Sequence, residues 1–414
     1  MVSFIPVLAH SDFSFSNLPW AAVRWSDGSI HLATRIGDRV LSLKALRAAG
    51  KLASWPELDL ETFNRFIDRG PEAWSAVRAE LIETYREGSR WEHDSQRALC
   101  ECDWQDAPAV LPVTIGDYSD FYASRQHATN VGMMFRDPEN ALLPNWLHLP
   151  VGYHGRSSTI SVSGTDVVRP NGQRKSPNDP TPVFGPSVKM DFELEVGIIL
   201  RGGPTDGSWI PVEKAEEYIF GFVLFNDWSA RDLQQWEYVP LGPFLGKNFA
   251  STMSPWIVSY EALQNSRCAG EAQDSPLPLP YLRQNRGSSH WNIELEVALA
   301  TPDGQETVLS RSNSSNLYWS FAQQIAHHSI NGCIIRSGDL MASGTISGNE
   351  PDSLGSMLEL SWNGSKPLEL HDGSKRTFLE DGDAVVLRGR AQNGGRIGFG
   401  ECRAALIPAK PWQK

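Results

Sequence analysis

His127 stands in the stretch YASRQHATNVG, residues 122–132, among small and polar neighbours and two helical turns after the carboxylate of Asp120. A histidine so placed does little for a core, and its charge changes near neutral pH, so proton transfer competes with a purely structural role. More carboxylates lie along SVKMDFELEVGIIL, residues 187–200. Its strict alternation puts Val188, Met190, Phe192, Leu194 and Val196 on one strand face and Asp191, Glu193 and Glu195 on the other. Neighbouring carboxylates on one such face are about 7 Å apart and repel, so either water separates them or a cation joins them. The run IFGFVLF, residues 219–225, reads as a strand buried on both faces that delivers Asp227 where it emerges. Asp120, Glu193, Glu195 and Asp227 offer hard oxygen donors suited to Ca²⁺ or Mg²⁺, not zinc, although their spacing matches neither an EF-hand loop nor an HExxH helix.

After Asp227, Ser229 and Asp232 are spaced as a capping box, which predicts a helix with Arg231, Gln234 and Tyr238 on one face. Such a stripe is unsuited to a core; it is either solvated or directed at a ligand. Two other motifs carry nothing. GPFLGKN, residues 242–248, is one residue short of a Walker loop and has no Ser or Thr after Lys247, and SGTISG, residues 343–348, lacks the GxGxxG pattern. His327 and His328 are adjacent and read as structural.

These groups must be positioned by elements far apart in the chain. With 414 residues, two domains or one large β-rich domain with an appendage are expected. Hydrophobic residues at 41% and charged residues at 21% exclude global disorder, and 35 Gly with 27 Pro imply many turns between short strands. Residues 1–117 mix strand-like pieces with one clear helix, PEAWSAVRAELIETYREG. There Pro71 suits the first turn, Trp74, Val77, Leu81 and Tyr85 make one apolar stripe, and Gly88 is placed to end it. CECDWQDAPAVLPV, residues 100–113, reads as a connector into a second unit, 118–414, that is β-rich. Its best helix candidates are SARDLQQWEY and NLYWSFAQQIAHHSI.

The formal charge of −12 speaks against nucleic acid or an anionic membrane as partner, and an anionic substrate would need positive charge assembled locally. Five cysteines without CxxC spacing predict free thiols in a reducing compartment. The N-terminal stretch has no signal-peptide pattern and the longest apolar run is too short to span a bilayer, so a cytoplasmic location is expected.

Four stretches carry a family resemblance: DYSDFYASRQHATNVGMMFRDPENALLPNWLHLPVGYHGR (117–156), DFELEVG (191–197), NDWSARDLQQWEYVPLGPFLGKNF (226–249) and GDLMASGTISGNEPDSLGSMLELSW (338–362). Together they closely resemble the fumarylacetoacetase, or fumarylacetoacetate hydrolase, family. The likeness is dense from about residue 112 onward and thins across 170–182 and 262–290, which read as surface loops. What it implies is a mainly β (α+β) fold with a small N-terminal SH3-like barrel, a large C-terminal β-roll, and a homodimer. It also implies metal-dependent hydrolysis of a carbon–carbon bond in a dicarboxylate substrate, yielding fumarate and acetoacetate, the last step of tyrosine and phenylalanine catabolism.

By the same resemblance the metal, calcium or magnesium, falls on Asp120, Glu193, Glu195 and Asp227, the catalytic histidine on His127 and its carboxylate partner on Glu359. Substrate contacts fall on Tyr122, Arg136, Tyr153, Gln234, Tyr238 and Thr345, with Arg231 and Lys247 near the reacting carbons. A further magnesium position falls on Lys247 and Ser251, where Ser replaces the family's usual Thr. A regular helix over 119–131 would turn Tyr122 away from the Asp120–His127 face. Competing readings are an acylpyruvate or other β-diketo acid hydrolase, or a decarboxylase or isomerase, on the same scaffold, and an inactive metal-stabilised binding protein.

Overall fold

Short alternating runs near the N-terminus pair as antiparallel neighbours: Ala21–Arg24 (β1), Ile30–Ile36 (β2) and Arg39–Ser42 (β3). The computed structural model describes residues 2–176, 178–392 and 395–412. Glu101–Asp103 (β4) and Ala109–Val110 (β5) complete a five-stranded sheet in the order β4-β3-β2-β1-β5. The stretch 100–113 is therefore not a connector. Its prolines and acids interrupt two edge strands, one on each side of the small sheet. Helix α1, Pro71–Tyr85, starts with proline at its first turn and buries Trp74, Val77, Leu81 and Tyr85. It stops before Gly88, because Arg86 already turns extended at ψ 148°, and Gly88 takes its positive φ in the turn that follows.

The small sheet and α1 do not own a separate core. Phe220 lies with its ring centroid 5.1 Å from Trp74, 5.8 Å from Phe63 and 6.2 Å from Trp20, and it belongs to a strand of the large sheet. Trp20 and Ile257 also exchange backbone hydrogen bonds at 2.8 and 2.7 Å across the same seam. Phe220→Ala is expected to lower the unfolding free energy by about 3–5 kcal/mol, since the cavity would open between two layers that cannot collapse independently. Denaturant unfolding followed by tryptophan fluorescence checks this, and a loss confined to one of two separate transitions would contradict a shared core.

The large sheet is built from Tyr118–Phe121 (β6), Gly152–His154 (β7), Ile160–Val162 (β8), Leu194–Leu200 (β9), Ile219–Asp227 (β10), Ser251–Met253 (β11) and Leu340–Ala342 (β12). Their order is β7-β6-β12-β9-β10-β11-β8, with Val258–Ser259 also paired to β10. Every residue of β10 is buried, as its continuous apolar run requires, and so is every residue of β9. A second sheet of five strands, including Glu294–Ala300, Ala384–Gln392 and Arg396–Ile407, packs over β10. Gly389 permits the approach, because a Cβ there would lie 2.8 Å from Leu224. The result is the mainly β architecture expected.

Four helices punctuate this body: Arg125–Phe135 (α2), Arg231–Glu237 (α3), Phe321–Ser329 (α4) and Met357–Leu360 (α5). The resemblance-poor stretch 170–182 is not simply a loop. Asn171–Arg174 pairs with Val183–Pro186, and Gly172 rests on Leu233 of α3. All five cysteines are free thiols, and no helix among the described residues is long and apolar enough to cross a membrane.

Candidate active site

Asp120 lies on a strand, not on a helix. It is held in β6 between Ala342 of β12 and Tyr153 of β7, and α2 starts only at Arg125, capped by Ser124, whose hydroxyl accepts the backbone N–H of His127 at 3.4 Å. The condition of one regular helix over 119–131 is therefore not met. The objection to Tyr122 disappears with it: Tyr122 sits in the strand-to-helix turn, its ring edge-on to the His127 imidazole at 5.2 Å.

His127 is 3% exposed and its Nδ1 lies 2.7 Å from Glu359 Oε2. A carboxylate can only accept, so Nδ1 carries a proton, and in the neutral imidazole Nε2 is then the nitrogen with the free lone pair. Glu359 comes from α5, where it is the third residue after the cap Ser356. Burial pushes its carboxyl upward, but His127, Asn130 and Ser356 outweigh that and hold it below the usual range.

The alternating carboxylates of 191–195 have different fates. Asp191 leaves the group: it accepts Arg231 Nε at 2.7 Å and the backbone N–H groups of Met357 and Leu358 at 2.6 and 3.1 Å. It thereby ties the arginine to the helix that carries Glu359. Glu193 and Glu195 join Asp120 in a buried cluster in which one carboxylate oxygen from each lies within 4.8 Å of the others. Asp227 stands beside them, accepting Lys247 Nζ at 2.7 Å, Tyr153 Oη at 3.0 Å and Ser251 Oγ at 2.9 Å. The Ser251 hydroxyl is thus engaged by Asp227.

Electrostatics divide these acids. Glu193 is lifted by burial but pulled below its usual value by Lys247 Nζ at 2.5 Å and Arg231 Nη1 at 2.8 Å. Asp120 and Glu195 are pushed far above the carboxylate range, first by burial and then by neighbouring carboxylates, Asp227 and Glu193 acting on Asp120, and Asp120, Glu193 and Asp227 on Glu195. Asp120 Oδ1 and Glu195 Oε1 are buried with no hydrogen-bond partner among the described residues. Unpartnered buried carboxylate oxygens facing like charges are costly unless a cation joins them, so this donor set fits a divalent ion with oxygen preference.

Two cations line the same place. Burial pulls the Lys247 ammonium downward, but Asp227 and Glu193 outweigh it and hold the ammonium above the usual lysine value. Arg231 Nη1 also donates to Gln234 at 3.1 Å, whereas its Nη2 is buried without a partner among the described residues, as is Thr345 Oγ1. The helix bearing Arg231 does not begin with the predicted capping box. Ser229 pairs in a short ladder with Asp191, its hydroxyl donates to Asp227 O, and Asp232 instead accepts Ser187 Oγ and Val188 N. The face carrying Arg231, Gln234 and Tyr238 survives, since all three line one cavity.

That cavity, about 740 Å³, is also lined by His127, Asp120, Glu193, Lys247, Tyr122, Arg136, Tyr153 and Thr345. Its far wall is apolar, made by Val131, Leu142, Trp146 and Val151 among others. His327 and His328 stay outside it, next to Tyr281 and Ser119. Sequence reasoning missed Asn130, Ser347 and Ser356, which all donate to Glu359. The signal for one of them was present: Ser356-Met-Leu-Glu359 is an S-x-x-E spacing that marks a helix start.

Comparison with known proteins identifies the family. Residues 117–407 match the family model for the fumarylacetoacetate (FAA) hydrolase C-terminal region, and residues 16–112 match that for the fumarylacetoacetase N-terminal region. The fumarylacetoacetase of Rattus norvegicus is 48% identical over 417 residues, covering 99% of both chains. Those of Homo sapiens and Arabidopsis thaliana are 47% and 46% identical at 99% coverage of each chain. Among solved structures, a fumarylacetoacetate hydrolase from psychrophilic Exiguobacterium antarcticum shares the fold, with a TM-score of 0.52 at 14% identity over 95% of this chain and 100% of that one. Two family models spanning nearly the whole length, and relatives matched end to end, place this chain in the fumarylacetoacetase family.

Proposed function

We propose that the protein hydrolyses the carbon–carbon bond of fumarylacetoacetate to give fumarate and acetoacetate, with Ca²⁺ or Mg²⁺ held by Asp120, Glu193, Glu195 and Asp227. One observation carries this reading: the His127–Glu359 pair and the unpartnered carboxylate oxygens belong to a single site, with His127, Asp120 and Glu193 lining one cavity. When bound, a divalent cation supplies Lewis-acid polarisation of a β-diketone and neutralises its carboxylate ligands.

The chain's own residues supply the rest. His127 takes a proton from water through Nε2, while Glu359 keeps the tautomer and stabilises the imidazolium. The hydroxide equivalent bonds to the fumaryl carbonyl carbon, and charge develops on its oxygen. Arg231 Nη2 and Thr345 Oγ1, both unpartnered, and Gln234 are the donors for that charge. The bond to the methylene carbon then breaks, its electron pair leaves with acetoacetate, and Lys247 protonates that carbon. The proton that His127 took then returns through solvent to the Lys247 amine, so that in net terms water contributes hydroxyl to fumarate and hydrogen to acetoacetate. Arg136, Arg231 and Lys247 bring positive charge to a dicarboxylate that the net charge of −12 would otherwise repel.

The same reading has Tyr122, Tyr153 and Tyr238 shaping the substrate site, units 1–117 and 118–414 as domains, and a homodimer in the cytoplasm. Incubation with fumarylacetoacetate and divalent cation should yield fumarate and acetoacetate in equal amounts as the diketone absorbance decays. Rapid cleavage of an acylpyruvate with fumarylacetoacetate left intact would instead favour the related β-diketo acid hydrolases.

A further inference from the structure

The Glu359 carboxylate is held unevenly. Oε2 accepts His127 Nδ1 at 2.7 Å, Ser356 Oγ at 2.8 Å and Ser347 Oγ at 2.9 Å. Oε1 accepts a single side-chain bond among the described residues, from Asn130 Nδ2 at 2.9 Å. A terminal carboxylate torsion is soft, so bonds to one oxygen alone leave the group free to swing about it. The bond to Oε1 fixes its plane. Asn130 follows His127 by three residues on α2, which places both side chains on one face of the helix. Because a carboxylate only accepts, the Asn130 amide nitrogen must be the atom that faces it.

Behind this pair lies a second cavity of about 500 Å³, open to solvent and separate from the substrate cavity. Asn130 and Glu359 both belong to its wall, together with Gln126, Thr129 and Lys366. Glu359 is nevertheless only 1% exposed, and Asn130 is the partially exposed side chain bonded to it.

We propose that Asn130 is a positioning residue for His127: it fixes the plane of the Glu359 carboxylate and closes the pair against water from the second cavity. This rests on the preceding reading of His127 as the base. Alanine at 130 would leave Oε1 to solvent, and an aspartate would set a second carboxylate against it.

The test is steady-state hydrolysis of fumarylacetoacetate across pH by wild type, Asn130→Ala, Asn130→Asp and Thr129→Ala. Asn130→Ala should lose about tenfold to a hundredfold in kcat with KM changed by less than about twofold, and its acid limb should move. Asn130→Asp should lose more at neutral pH and recover relative to wild type as pH falls, because the protonated carboxyl regains a donor. Thr129→Ala, on the same wall but with its hydroxyl donating to Arg125 O and not to Glu359, should behave as wild type. Wild-type kcat and pH profile in Asn130→Ala, or an equal loss in Thr129→Ala, would overturn the proposal. If wild type itself does not turn over fumarylacetoacetate, the functional reading fails first. The ¹⁵N shifts of the His127 ring, measured without substrate, then decide: the expected result is a changed titration in Asn130→Ala, and an unchanged one overturns the role of Asn130.

Discussion

Replacing His127 with alanine is expected to lower kcat about a thousandfold, within the range that a positioned general base contributes. The change leaves the carboxylate cluster and Arg231 in place, so KM should move little and cation content not at all. Glu359→Gln should also be severely impaired, because an amide cannot both accept from Nδ1 and stabilise an imidazolium. The two losses should not add. If His127 and Glu359 act as one unit, the double variant will be about as slow as His127→Ala alone. Stopped-flow or steady-state decay of the diketone band measures all three, and multiplicative losses would mean that Glu359 acts independently of the histidine.

The second large effect concerns the cation. Chelation should abolish turnover, and Asp120→Asn should lose both ion and activity. The stability consequence runs the other way. In the ion-free protein, Asp120 and Glu195 have carboxyls raised by burial and by the neighbouring carboxylates. Between their ordinary unfolded values and the raised folded ones the native state binds more protons than the unfolded chain. Stability is therefore highest at acid pH and falls as pH rises through that interval. In chelator at neutral pH, Asp120→Asn should then be more stable than wild type by roughly 1–3 kcal/mol, with the gap closing toward pH 4. In excess cation the order reverses, since wild type gains binding free energy, about 2.7 kcal/mol at a hundred times Kd. Urea unfolding under the two conditions reads the crossover, and an Asp120→Asn variant less stable than wild type in both would contradict a cation site at these oxygens.

Much of this was legible in the chain, for reasons that differ by residue. Burial of β10 was readable because a continuous apolar run admits few other placements. The alternation around Glu193 and Glu195 was equally plain, but alternation alone cannot say whether the second face meets solvent. Here that face meets the Asp120 carboxylate and Gly344, whose N–H bonds Glu195 Oε2 at 3.2 Å, both from distant parts of the chain. Asp191 shows the limit most clearly, since it shares the pattern yet serves as a brace between Arg231 and α5.

The misreadings have physical causes as well. Ser229 and Asp232 had capping spacing, but antiparallel pairing of Ser229 with Asp191 took the backbone out of that geometry. Residues 100–113 looked like a linker because two-residue and three-residue edge strands have no period to detect. Glu359 was reached through resemblance, although the S-x-x-E start of α5 could have flagged it.

Returning cation to the ion-free protein, one equivalent at a time, while following both bound ion and diketone decay, tests the central claim most directly. Wild type should regain activity in step with the ion that fills the Asp120–Glu193–Glu195 site, and His127→Ala should bind that ion as tightly without recovering turnover. Full activity before any ion is added, or recovery in His127→Ala, would contradict the account.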